Sequence, residues 1–183
     1  MEFINSTNNF KYFRVINRRN FQPITLEMDE DIDTYLAFPS SPVMTLVTIN
    51  NVNIENIDIK LLKPYEWLND NIMNTVLYLI TSDSPPSFAF STYFAEMLRY
   101  QGYSDTVRRQ TRPIDREDKG ELFSQKMVFI PLNPDLNHWT LVAINMLEKT
   151  ITYYDSIIDR PKDQVMLKIQ IEQFLIIYIY SPF

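Results

Sequence analysis

The sequence predicts an α+β domain, helices first and a meandering sheet second. Two stretches between residues 70 and 101 place apolar residues at three- and four-residue steps, the period of an amphipathic helix. Three short apolar runs between residues 126 and 155 have the composition of central strands covered on both faces. The bulk numbers allow a core to form: of 183 residues, 45% are apolar and 22% charged, close to globular averages. The expected organisation is one domain over residues 44–183, behind a poorly patterned leader over residues 1–43.

The leader holds an Asn-rich start, an acidic run at Glu27–Asp33 and a Pro-Ser turn at Pro39–Pro42, and reads as extended or loosely packed. Met44–Ile49 reads as a strand with Asn50–Asn51 as its turn, and Asn56–Leu62 as a short helical turn leading into Lys63-Pro64. In the helix that follows, the apolar positions are Ile72, Met73, Val76, Leu77, Leu79 and Ile80. Asn69 or Asp70 is its N-cap, because a short side-chain oxygen accepts from the free first-turn amides. Ser82–Pro86 ends it. A second helix, Ser91 to Gln101, puts Tyr93, Phe94, Met97 and Leu98 on one side, with Gly102 where a C-cap favours a residue lacking Cβ. Strands follow at Lys126–Leu132, His138–Asn145 and Thr150–Asp155, then a last helix from Lys162 to Phe174.

Composition excludes several classes of function. Two glycines, Gly102 and Gly120, are too few for a phosphate-cradling loop. A formal charge of −6, with basic pairs only at Arg18–Arg19 and Arg108–Arg109, argues against a nucleic-acid partner. There is no cysteine and one histidine, so disulfides and thiolate metal sites are excluded, and no cofactor is expected. The first ten residues lack a signal pattern, and no apolar run approaches the about 20 residues that span a bilayer. The expectation is a soluble, intracellular protein with no membrane partner.

The sole histidine, His138, stands at the head of one expected strand and Asp155 at the tail of the next. A two-residue loop at Leu147-Glu148 pairs Thr140 with Asp155 and puts His138 on the same face, diagonal to the carboxylate. Diagonal neighbours lie roughly 7–8 Å apart at the backbone, a gap that an imidazole leaning toward a carboxylate closes. Such a carboxylate fixes the tautomer and steadies the imidazolium, as in nucleophile–base–acid triads. A three-residue loop with a bulge would break this register. The plainer reading is a packed or hydrogen-bonded histidine with Asp155 starting a turn; spacing alone leaves the two readings level.

Three segments, in order, resemble the Ulp-type (sentrin-specific) cysteine proteases. LLKPYEWLNDNIMNTVLYLI (61–80) is similar to the family's Trp-Leu-Asn-Asp helix opening. Phe90-Ser91-Thr92-Tyr93-Phe94, Gly102-Tyr103 and Val107-Arg108-Arg109 resemble its middle, and VFIPLNPDLNHWTLVAINMLEKTITYYDS (128–156) its His-Trp and Tyr-x-Asp-Ser segment. The resemblance implies a papain-like fold with N-terminal helices and a central mixed or antiparallel sheet. It implies that His138 is the general base and Asp155 its orienting partner. Trp67, Trp139, Asp70 and Arg108 then meet a ubiquitin-like (SUMO-like) modifier, the flat rings narrowing a channel for its Gly-Gly tail. Core packing for the two tryptophans, and a solvated pair for Arg108–Arg109, stand as alternatives.

The family's nucleophile is a cysteine after the aspartate, in a Gln…Asp-Cys-Gly segment that starts a buried helix, where the helix N-terminus and the imidazolium favour the thiolate. The sequence ends at Phe183 without that segment; Gln170 and Gln173 have no cysteine after them, and Ser156 and Ser181 lack the helix-start setting. The expectation is a protease domain cut short before its nucleophile and inactive alone, with the nucleophile helix missing and apolar sheet surface left uncovered. The apolar tail Phe174–Tyr180 adds an aggregation risk. A non-catalytic modifier-binding module and a viral or mobile-element processing protease are the competing readings.

Overall fold

The computed structural model describes residues 25–84, 86–101, 121–133 and 138–156. They divide into two compact units, with the boundary between Thr75 and Val76.

The first unit opens on helix α1 (Leu26–Ala37), a helix that the apolar pattern did not announce. Local chemistry makes it: Thr25 Oγ1 accepts from the Met28 amide at 3.2 Å, and Glu27 and Asp29 put negative charge against the helix N-terminus. None of its residues is buried. Strands β1 (Thr45–Ile49) and β2 (Val52–Glu55) then form an antiparallel hairpin, with Ile49 opposite Val52. Asn50 and Asn51 both take positive φ, 47° and 61°, as a two-residue primed turn requires and asparagine tolerates. A short helix α2 (Asn56–Lys60) follows directly. Asn56, fully buried, ties it to the chain before β1: Oδ1 accepts from the Met44 amide, and Nδ2 donates to the Pro39 and Pro42 carbonyls.

Helix α3 (Asp70–Asp83) crosses the boundary between the units. Its N-cap is Asn69, whose Oδ1 accepts from the Ile72 amide at 3.1 Å. The apolar stripe is narrower than the periodicity suggested. Ile72, Thr75 and Leu77 are buried, while Val76, Leu79 and Ile80 are exposed. The apolar residues cover a wide arc of this helix, so the pattern did not single out which of them are buried.

The second unit is built on a four-stranded mixed sheet, ordered β3-β4-β5-β6. The strands are β3 (Ser87–Ala89), β4 (Met127–Leu132), β5 (Thr140–Asn145) and β6 (Thr150–Tyr154). β3 runs parallel to β4, and the remaining pairs are antiparallel. At three residues, β3 is too short to show a period, and the sequence reading missed it. Helices α4 (Tyr93–Gln101) and α5 (Glu121–Ser124) complete the described elements.

One face of this sheet makes the core. Val128, Ile130 and Leu132 alternate along β4, and Val142 and Ile144 along β5, with Val128 opposite Ile144 and Ile130 opposite Val142. Leu122, Phe90 and Phe94 pack with them, the two phenylalanine rings stacked at 3.8 Å. The exposed apolar surface expected on the sheet is not on β4 or β5, which carry no exposed large apolar side chain. The expected helix at 162–174 and the tail at 174–180 lie outside the described residues.

Candidate active site

The β5–β6 hairpin sets the geometry. Asn145 pairs with Thr150 and Leu141 with Tyr154, the register expected from the sequence. The loop itself is longer than expected, four residues from Met146 to Lys149. Asn145 Oδ1 accepts from the amides of Leu147 and Glu148, at 3.1 and 3.0 Å, and Lys149 closes the turn at φ 53°. Adding a residue on each side of a two-residue loop leaves the pairing unchanged, so no side chain switches face.

Continuing that pairing by one residue sets Thr140 opposite Asp155. By the same alternation His138, Thr140, Val142 and Ile144 share a face of β5, and Ile151, Tyr153 and Asp155 share that face of β6. The polar pair is therefore the extension of the hydrophobic face just described. Its burial follows: the His138 and Asp155 side chains keep 10% and 4% of their accessible surface. His138 Nε2 lies 2.6 Å from Asp155 Oδ1. So short a contact between nearly dry groups is at the short limit of hydrogen bonds to a carboxylate. The Tyr153 hydroxyl donates to Asp155 Oδ2 at 3.4 Å, a long and weak bond beside the first.

A neutral imidazole has one donor nitrogen and one acceptor. With Nε2–H given to the carboxylate, Nδ1 keeps its lone pair for a proton from another group, as a general base needs. The backbone of His138 is held as well: its amide donates to Asn133 Oδ1 at 3.0 Å, fixing the approach to β5. Sequence reasoning missed Asn133 and Tyr153. Tyr153 was within reach of it, since a residue two before Asp155 on a strand must share its face. Asn133 stands five residues before His138, beyond the end of β4, and left no such signal.

The other candidate residues are placed as follows. Trp139 is half-buried next to His138. Trp67 and Asp70 belong to the first unit. Trp67 is 63% exposed, which sets aside core packing as its explanation, and Asp70 is the first residue of α3. Arg108 lies outside the described residues. Ser156 is exposed, beside Asp155. Among the described residues no group of three or more metal-ligating side chains is assembled.

A sequence model of the Ulp1 protease family, C-terminal catalytic domain, matches residues 66–181, more than half of the chain and both members of the pair. The chain belongs to the Ulp1 protease family. Relatives include ubiquitin-like-specific protease 1 of Saccharomyces cerevisiae, 33% identical over 138 residues, covering 74% of this chain and 21% of that protein. Sentrin-specific protease 2 of Mus musculus is 32% identical over 137 residues, covering 72% of this chain and 22% of the relative. The chain thus spans about a fifth of the length of the curated relatives it matches.

Solved structures agree on the fold. The SUMO protease Ulp1 with its catalytic cysteine oxidised to a sulfinic acid superposes with TM-score 0.75 at 26% identity, over 86% of this chain and 68% of that one. The C-terminal Ulp1 protease domain in complex with Smt3, the yeast ortholog of SUMO, superposes with TM-score 0.72 at 24% identity, over 85% and 69%. The mixed sheet and its flanking helices are those of the Ulp1 family, an α+β fold. That Ulp1 has a catalytic cysteine; the 183 residues of this family member contain none.

Proposed function

We propose that this chain carries the base and the orienting acid of a cysteine-type peptidase acting on a SUMO-like modifier after its Gly-Gly end, without the thiol they serve. The observation that carries the reading is the 2.6 Å contact between His138 and Asp155, set in a segment that matches the family. His138 is the general base through Nδ1, and Asp155 holds its ring. Trp67, Asp70, Trp139 and Arg108 are each modifier contacts in this reading; the exposure of Trp67 supports its part in it. The family's nucleophile is a thiol and these residues include none, so the chain by itself binds the modifier and does not cleave it. Residence in the nucleus or cytoplasm belongs to the same reading; among the described residues, no helix is long and apolar enough to cross a membrane.

Calorimetric titration with Smt3 and a Smt3–fluorophore hydrolysis assay test this together. The folded chain is expected to bind and to release no fluorophore. Trp67→Ala should weaken binding by about tenfold or more, as loss of an aromatic anchor does. A verified folded chain that binds no Smt3 removes the reading. Turnover abolished by His138→Ala would place a non-cysteine nucleophile at the pair. The absence of cysteine also favours a second reading, a modifier-binding module with no chemistry.

A further inference from the structure

Asp58 is a buried carboxylate, 2% exposed, on a helix of five residues, and among the described residues no cation pairs with it. What it holds instead is a set of neutral donors. Oδ2 accepts from the Glu55 amide at 2.8 Å, where α2 begins. Oδ1 accepts from Asn69 Nδ2 at 2.6 Å, and Asn71 Nδ2 lies 3.3 Å from Oδ2. Asn69 in turn uses its own Oδ1 to cap α3. One carboxylate therefore fastens the first turn of α2 to the first turn of α3.

Between these fixed ends runs the segment Leu62–Leu68. Tyr65, wholly exposed, takes φ 70°, a conformation that costs a bulky residue energy and that the surroundings must impose. Trp67 stands two residues before Asn69, with most of its ring in solvent. An exposed indole makes little packing of its own, so its position is set by the backbone on which it stands. That backbone is anchored, through Asn69, to Asp58.

We infer that Asp58 is the positioning residue of the Trp67 segment: it acts through Asn69 to hold an exposed indole ready for a ligand, and touches no ligand itself. The inference rests on the proposed modifier-binding role of Trp67 for its consequence, and on the hydrogen-bond network for its cause. Preorganisation of this kind raises affinity by removing an ordering cost at binding.

Two readouts separate cause from consequence. In a Trp139→Phe background Trp67 is the only tryptophan, and its fluorescence anisotropy and acrylamide quenching report its order without any ligand. Asp58→Asn is expected to lower the anisotropy and raise the quenching, because an amide presents a donor toward donors. In the otherwise unaltered chain, Asp58→Asn should weaken Smt3 binding by about tenfold, the cost of unmade buried hydrogen bonds. The double variant Asp58→Asn, Asn69→Asp exchanges donor and acceptor across the 2.6 Å contact and keeps a good N-cap, and should restore both readouts. Ile54→Ala, an apolar truncation of a buried residue in the same unit, should lower stability and leave Trp67 order unchanged. The inference is overturned if Asp58→Asn leaves the fluorescence unmoved, if the exchange does not restore it, or if Ile54→Ala moves it equally. Should Trp67→Ala bind Smt3 as tightly as the native chain, the modifier-binding role fails, while the fluorescence still decides the role of Asp58.

Discussion

Replacing Asp155 by alanine removes the acceptor that lies 2.6 Å from His138 Nε2, in a place that water barely reaches. An unmade buried hydrogen bond costs about 1–3 kcal/mol, and more when a charge is involved. Asp155→Asn keeps an acceptor and gives up the charge, so roughly half that loss is expected, since charge-assisted bonds are about twice as strong as neutral ones. The cycle of Asp155→Ala, His138→Ala and the double variant isolates the pair, and its coupling should be about 1.5–3 kcal/mol. Urea denaturation followed by fluorescence and by circular dichroism measures each corner, and agreement between the two probes establishes that a single transition is being read. A coupling below about 0.5 kcal/mol is what solvent-exposed ion pairs give. That result would refute the dry, oriented imidazole on which the proposed chemistry depends.

Ile130 is fully buried at the centre of the sheet core, so Ile130→Ala should cost about 2–5 kcal/mol in the same denaturation experiment. Lys149 sits at φ 53° in the hairpin loop, where a Cβ is unfavourable; Lys149→Gly should raise stability by about 0.5–1 kcal/mol and leave the hairpin amide exchange pattern unchanged.

Much of the candidate site was legible because a β-hairpin is a local object. The apolar runs at 126–132, 138–145 and 150–155 marked the strands, and the short link between the last two set the register; side-chain alternation then put His138 and Asp155 on one face. Helix α3 was legible at its start, where Asn69 offered a capping oxygen, and illegible in its buried face, because its apolar residues cover a wider arc than the few positions it buries. Strand β3 and helix α1 escaped for opposite reasons. Three residues show no period, and a helix with no buried residue shows no apolar face.

The Asp58 network escaped for another reason: Asp58 and Asn69 are eleven residues apart and drawn together by two helix starts, which no local pattern describes. By itself the sequence determined the register of the site hairpin, the family, and the lack of a thiol among these residues, since each follows from residue identity and near-neighbour spacing. Only the tertiary structure decided how dry the imidazole–carboxylate contact is, that Trp67 faces solvent, and what holds it there. Burial and long-range hydrogen bonds depend on which surfaces meet in space, and a chain read one residue after another does not contain those distances.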